Sequence, residues 1–330
     1  ATKERWASRV GLVLAMAGNA VGLGNFLRFP AQAAANGGGA FLIPYFVALL
    51  VLGLPLIWVE WAMGRYGGQH GHHSTPGIFD VIGNRRPWWK YLAVFGLFTN
   101  LLVAAYYLYI ESWTITYAIN SALGGFKGLT VPQVEEFSKW MTGEQDFHII
   151  AISPVGMSVF ALCIIFNIWV LSRGLARGIE LVSKVGMPLL ILFAAILAVR
   201  GLMIDPATDP EAKFSPFEGL NFVWEPKYES LSNPAVWLAA AGQIFFTLSI
   251  GMGSIHCYAS YLREKDDIAL TGATAGWTNE FCEVVLGGTI LIPIAVAYMG
   301  IEDVRSRPGF ALGFFVFPTL FDKWGAFAPV

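Results

Sequence analysis

The chain has 330 residues, 55% hydrophobic and 13% charged, where a soluble domain carries about 25% charged residues. Mean hydropathy of +0.57 excludes an ordinary water-soluble globule, and a net charge of −2 offers no basic surface for nucleic acid. The composition is that of an integral membrane protein, which must satisfy its backbone internally.

A spanning helix needs about 20 mostly apolar residues. Seven segments qualify: 10–33, 40–63, 91–118, 151–171, 183–203, 235–261 and 268–299. Trp and Tyr recur near their ends, as interfacial belts require. The two longer connections, 119–150 and 204–234, hold Pro, Gly and acidic residues and read as loops. With the N-terminus inside, the inside segments hold twelve Lys and Arg against eight outside, so a cytoplasmic N-terminus is expected. No cleavable signal peptide is visible in ATKERW, and the chain is expected to be a piece of a longer protein.

The first span contains GNAVGLGNF at 18–26. Gly18, Gly22 and Gly24 each weaken a helix interior by about 1 kcal/mol relative to Ala. Freed backbone groups cannot face lipid and need protein, water or a ligand. A glycine face for close helix packing would explain the glycines but not the flanking Asn19 and Asn25, so the span reads as broken. The sixth span repeats the pattern in GQIFFTLSIGMGS, 242–254. Two interrupted spans in corresponding positions of two halves point to a transporter built from inverted repeats. Half-helix N-termini suit a carboxylate, and unwound carbonyls with Asn or Thr oxygens suit a hard cation.

Longer stretches narrow this reading. RVGLVLAMAGNAVGLGNFLRFPAQAAANGGGAFLIPY (9–45), LPLIWVEWAMGRYGG (54–68), AAYYLYIESW (104–113) and GQIFFTLSIGMGSIHCYASY (242–261) closely resemble the neurotransmitter:sodium symporter family and its bacterial amino-acid transporters. The resemblance covers essentially the whole chain. It implies the all-α, LeuT-like inverted-repeat fold in one transport domain over 1–330, with a first repeat at about 10–203, the start of a second at about 235–299 and an outer loop at 300–330. It also implies sodium-coupled symport of a small hydrophobic amino acid by alternating access, from a multi-pass place in the inner (plasma) membrane. Na+, the lipid bilayer and an amino acid such as leucine or methionine would be the partners, and a homodimer is compatible with it.

The same resemblance assigns residues. The substrate carboxylate would meet the amides of Leu23 and Gly24 and the hydroxyl of Tyr107. The ammonium would face the carbonyls of Ala20, Phe246 and Thr247 and the Ser249 backbone; the side chain would touch Val103, Phe246, Ser249 and Met252. One sodium would use Ala20, Asn25, Thr247 and Asn279, and a second the carbonyls of Gly18 and Val21, with its other ligands on an eighth span that this sequence does not include. Arg28, Phe246 and Gln243 would form the outer gate, and Trp6, Ser260 and Tyr261 the inner closure. Lys3 and Arg5 both stand near the family's inner arginine. Glu283, four residues after Asn279 and so on the same helical face, would replace chloride, making transport chloride-independent.

Other signals have plainer readings. Glu60 is expected to accept hydrogen bonds from N–H groups freed by a break, and Glu111 and Glu280 to be packing or interfacial acids. Of the adjacent Tyr106 and Tyr107 only one can face a site. HGHH at 70–73 reads as a solvated loop, His256 as a packed core residue, and Cys163, Cys257 and Cys282 as small buried hydrophobes. A seven-span amino-acid sensor that does not transport is the alternative function. No HExxH, GxSxG or nucleophile–base constellation favours an enzyme.

Overall fold

The computed structural model describes residues 5–142, 154–306 and 311–322. Every described regular element is a helix. In chain order they are α1 (Arg9–Ala20), α2 (Gly24–Ala35), α3 (Gly39–Gln69), α4 (Thr75–Ile82), α5 (Pro87–Ala122), α6 (Val131–Thr142), α7 (Pro154–Ser172), α8 (Leu175–Leu202), α9 (Pro216–Trp224), α10 (Pro234–Thr247), α11 (Ser254–Ala259), α12 (Ile268–Met299), α13 (Ile301–Ser306) and α14 (Ala311–Asp322). Five of these are long and apolar enough to cross a membrane, and α1 with α2 forms a sixth span bent by 46°. The segment 235–261 is not one helix: α10 stops at Thr247, and α11 starts only at Ser254. The stretches read as loops hold helices of their own: α6 within 119–150, α9 within 204–234, and α13 and α14 within 300–330.

Helix starts follow local chemistry. Ser8 caps α1 at the Gly11 N–H (3.0 Å), Asn233 caps α10 at Ala235 (3.0 Å) and Asp267 caps α12 at Leu270 (3.0 Å). Ser215 and Glu218 form a reciprocal capping box on α9. The chain before α1 is tied to α8 by the buried Glu180, which accepts from the Ala7 N–H (2.8 Å) and the Ser8 hydroxyl (3.0 Å).

Span α12 is polar for a membrane helix because protein, not lipid, surrounds it: 83% of its most apolar stretch is enclosed, against 11% for α5. The outer faces of α5 and α7 present Phe95, Leu101, Leu162 and Ile165, all exposed, as lipid-facing surfaces do. The short α11 packs on the second half of α3, where Gly64 and Gly68 let the backbones close; a Cβ on Gly68 would stand 1.8 Å from the Ser260 carbonyl. Four spans carry a single wide turn whose backbone bonds reach one residue further than in an α-helix: Gly24–Arg28, Leu49–Gly53, Leu175–Ile179 and Phe281–Gly287.

Candidate functional site

Two breaks face each other inside the bundle. In the first, Gly22 donates its N–H to Asn25 Oδ1 (2.8 Å) and Leu23 donates to the Tyr107 hydroxyl (3.0 Å). Tyr107, not the more exposed Tyr106, therefore meets the break. In the second, residues 248–253 leave the helix, with Ser249, Gly251 and Gly253 at φ of 55°, 79° and 95°. The Gly251 N–H donates to Glu60 Oε1 at 2.6 Å, the role expected of Glu60. The Ser249 hydroxyl donates to the Asn19 carbonyl (3.3 Å) and the Asn19 amide to Ser254 Oγ (3.2 Å), so α1 and the second break are sewn together.

Between the breaks lies a wholly buried polar cluster. Asn25, Gln243, Asn279 and Glu283 are each 0% exposed and Thr247 2%. Asn25 Nδ2 donates to Asn279 Oδ1 (2.8 Å) and Glu283 Oε2 (3.1 Å), and Asn279 Nδ2 donates to Thr247 Oγ1 (3.1 Å). The Thr247 hydroxyl also donates to Glu283, and Gln243 Nε2 donates to Glu283 Oε1 at 2.7 Å. The wide turns Gly24–Arg28 and Phe281–Gly287 pack on each other and carry Asn25 and Glu283, while Gln243 and Thr247 come from the end of α10. Asn25, Thr247 and Asn279 carry neutral oxygens and Glu283 a carboxyl group, the ligand types a hard cation takes. A buried carboxylate is expensive in a membrane span and is a candidate for function there.

Toward one end, Arg28 donates to Gln243 Oε1 and lies over the Phe246 ring, 4.3 Å from its centroid. Phe246 in turn covers Gly24, where a Cβ would stand 3.0 Å from the ring. At the opposite end, Trp6 donates its indole N–H to the Tyr258 carbonyl (3.2 Å), and Arg5, Ser260, Tyr261 and Glu264 line an open cavity. His73 lies there as well, stacked on Tyr261 at 4.3 Å and bonded to Ser260 Oγ (2.9 Å); it is not the solvated loop residue that HGHH suggested. Lys3 lies outside the described residues.

The remaining assigned residues are placed less tightly. Gly18 faces Met187 and Ser183 of α8, and Val21 is buried with its N–H on the Ala17 carbonyl (2.6 Å). Among the described residues, no hydrogen bond ties these two to the Asn25 cluster. Ala20 lines a narrow apolar cavity with Asn19, Leu248 and Ile255; Val103 and Met252 are half-buried. His256 is more than packed: its ring bonds the Thr75 hydroxyl (2.9 Å), and its other nitrogen lies 3.7 Å from Glu60 Oε2. Glu111 bonds Asn167 of α7 (3.2 Å), as a packing acid does, and Glu280 accepts from Asn279 (3.3 Å). Asn100 was not singled out from the sequence, yet its side chain donates to the Met252 carbonyl in the second break.

Known proteins share the family pattern and the fold of this chain. A profile of the Sodium:neurotransmitter symporter family matches residues 3–127 and 129–327. An uncharacterised sodium-dependent transporter of Methanocaldococcus jannaschii is 32% identical over 285 residues, 84% of this chain and 53% of the relative. One from Bacillus subtilis, also uncharacterised, is 31% identical over 324 residues, 97% of this chain and 64% of that protein. A rat sodium-dependent neutral amino acid transporter, B(0)AT3, is 30% identical over 87% of this chain and 47% of its own length. The crystal structure of MhsT in complex with L-phenylalanine superposes with a TM-score of 0.82 at 30% identity, covering 99% of this chain and 68% of that one. The chain thus spans 53% to 64% of the length of the first curated relatives it matches.

Proposed function

The chain belongs to the sodium:neurotransmitter symporter family, and from that premise we propose that it forms the substrate- and ion-binding part of a sodium-coupled amino-acid symporter. The observation that carries this reading is the fully buried cluster between two broken spans in which the Asn25 amide and the Thr247 hydroxyl donate to Glu283 and Asn279 bonds both Asn25 and Thr247. Those oxygens would hold one Na+ as cargo. Leu23 and Gly24 amides with Tyr107 would take the substrate carboxylate, and carbonyls of Ala20, Phe246 and Thr247 its ammonium. Gly18 and Val21 would contribute to a second ion, Arg28, Gln243 and Phe246 to an outer gate, and Trp6, Arg5, Ser260 and Tyr261 to an inner one.

Val103, Ser249 and Met252 would line the pocket for a small hydrophobic side chain such as leucine or methionine; Met adapts to irregular partners. The likeness to a neutral amino acid transporter and to a phenylalanine-bound structure supports an apolar amino acid. The Glu283 carboxylate supplies a built-in negative charge beside the cation, so transport is chloride-independent. The protein sits in the plasma membrane with its N-terminus cytoplasmic.

The test is radiolabelled leucine uptake into liposomes holding the full-length protein, driven by an inward sodium gradient. Uptake that follows the gradient and ignores chloride is expected, and Glu283→Ser acquires a chloride requirement. Sodium-dependent binding without uptake would make the protein a sensor. Competition by glycine and alanine alone would refute the apolar pocket.

A further inference from the structure

Met252 sits in a backbone setting that its own helix does not control. Its neighbours Gly251 and Gly253 are both left-handed, at φ of 79° and 95°, a region that glycine enters without strain. Two side chains from other helices hold the peptide groups around it. Glu60 of α3 accepts the Gly251 N–H at 2.6 Å, and Asn100 of α5 donates to the Met252 carbonyl. The Asn100 amide is itself aimed by the Gly96 carbonyl one turn earlier (3.3 Å). Gly253 lies beside this contact, and a Cβ there would stand 2.6 Å from Thr75 Oγ1 and 3.4 Å from Asn100 Nδ2.

Asn100 precedes Tyr107 by seven residues, which is two helical turns or about 10.5 Å along the axis, on one face. Val103 lies on that face between them. One face of α5 therefore touches both breaks: Tyr107 at the Leu23 N–H and Asn100 at the Met252 carbonyl.

We infer that Asn100 is a specificity-positioning residue, which by holding the Met252 carbonyl sets how far the Met252 side chain reaches toward Val103 and so which amino-acid side chains the pocket admits. This rests on the proposed symport function. Asn100 does not itself touch substrate. A residue that only packed α5 against the break would change stability and leave the ranking of substrates alone.

The experiment measures competition by L-leucine and L-phenylalanine for sodium-dependent binding to the full-length protein. Asn100→Leu removes the donor at similar volume. It is expected to change the leucine-to-phenylalanine ratio about tenfold, the low end of what one methylene of pocket volume discriminates, with the sodium half-saturation unchanged. Asn100→Gln keeps the donor on a longer arm and shifts the ratio less; it decides the matter should Asn100→Leu not fold. In a Met252→Ala background the Asn100 effect should vanish, as coupling between contacting residues requires. An unchanged ratio in both variants, or the same change without Met252, overturns the inference while leaving symport standing. If the wild type binds no amino acid, the symport reading falls, and hydrogen exchange then judges the clamp: Asn100→Gln must speed exchange at 248–253 but not at 20–25, and equal rates overturn it.

Discussion

The two breaks meet the same demand with different means. The first is three residues long, and Asn25, three positions on, accepts its Gly22 N–H within the same segment; only Leu23 looks outward, to Tyr107. The second spans 248–253: the N–H groups of Leu248, Ser249 and Ile250 bond back to carbonyls of α10, and the rest is held from elsewhere, by Glu60 of α3, Asn100 of α5 and the Asn19 carbonyl of α1. Buried backbone groups must all be paired, so a short break can be capped by its own sequence, while a long one needs neighbours for the part its own helix does not reach. The first break is thus nearly a local structure, and the second is local as far as Ile250 and tertiary beyond it.

That contrast can be broken or sharpened by mutation. The largest effect belongs to Asn25, which serves both the break and the ion cluster. Asn25→Leu removes two donors from buried acceptors, one of them a carboxylate, at about 2–3 kcal/mol. Sodium titration of leucine binding should show a loss of roughly 30–150-fold in affinity. A smaller loss than in Tyr107→Phe would mean that the cluster is not the centre of the site.

Glu60→Leu comes next. It leaves the Gly251 N–H without its acceptor, at about 1–3 kcal/mol, and the damage should fall on the second break alone. Hydrogen exchange should rise at 248–253 and stay level at 20–25, with thermal stability lowered. Equal change at both breaks would erase the distinction between them. Tyr107→Phe is the mildest, since one neutral hydrogen bond contributes about 0.5–1.5 kcal/mol. Leucine affinity should fall roughly 2–10-fold, while exchange rises at Leu23 and barely moves at Gly22, which Asn25 still caps.

Sequence reasoning reached the breaks because glycine clusters in an apolar run are conspicuous, and it reached Asn25, Thr247, Asn279 and Glu283 through family resemblance. Glu60 was legible from chemistry alone, since a buried acid beside a broken helix has few other uses. Asn100 was not. A lone Asn in a span reads as a packing residue, and nothing local to α5 announces that a carbonyl 152 positions away points at it. Glu180 and the chain start at Ala7 share that invisibility. The helices in the connecting stretches were missed because short amphipathic runs such as Val131–Thr142 have Pro and acidic residues that also mark loops. Each wide turn holds one glycine, a residue too common in these spans to mark them out.

One of those wide turns has a mechanical meaning. Leu49–Gly53 lies against Ile244 and Leu248, level with the point where α10 ends; a Cβ on Gly53 would stand 3.0 Å from either side chain. The part of α3 before it pairs with α10 and the part after it with α11 through Gly64 and Gly68. Spans two and six therefore act as a pair of rods jointed at the same height, each segment glued to its opposite number. Were α11 to swing about the second break, the packing at Gly64 and Gly68 would carry the second half of α3 with it, and the wide turn at Leu49–Gly53 stands where that 31-residue helix would have to bend.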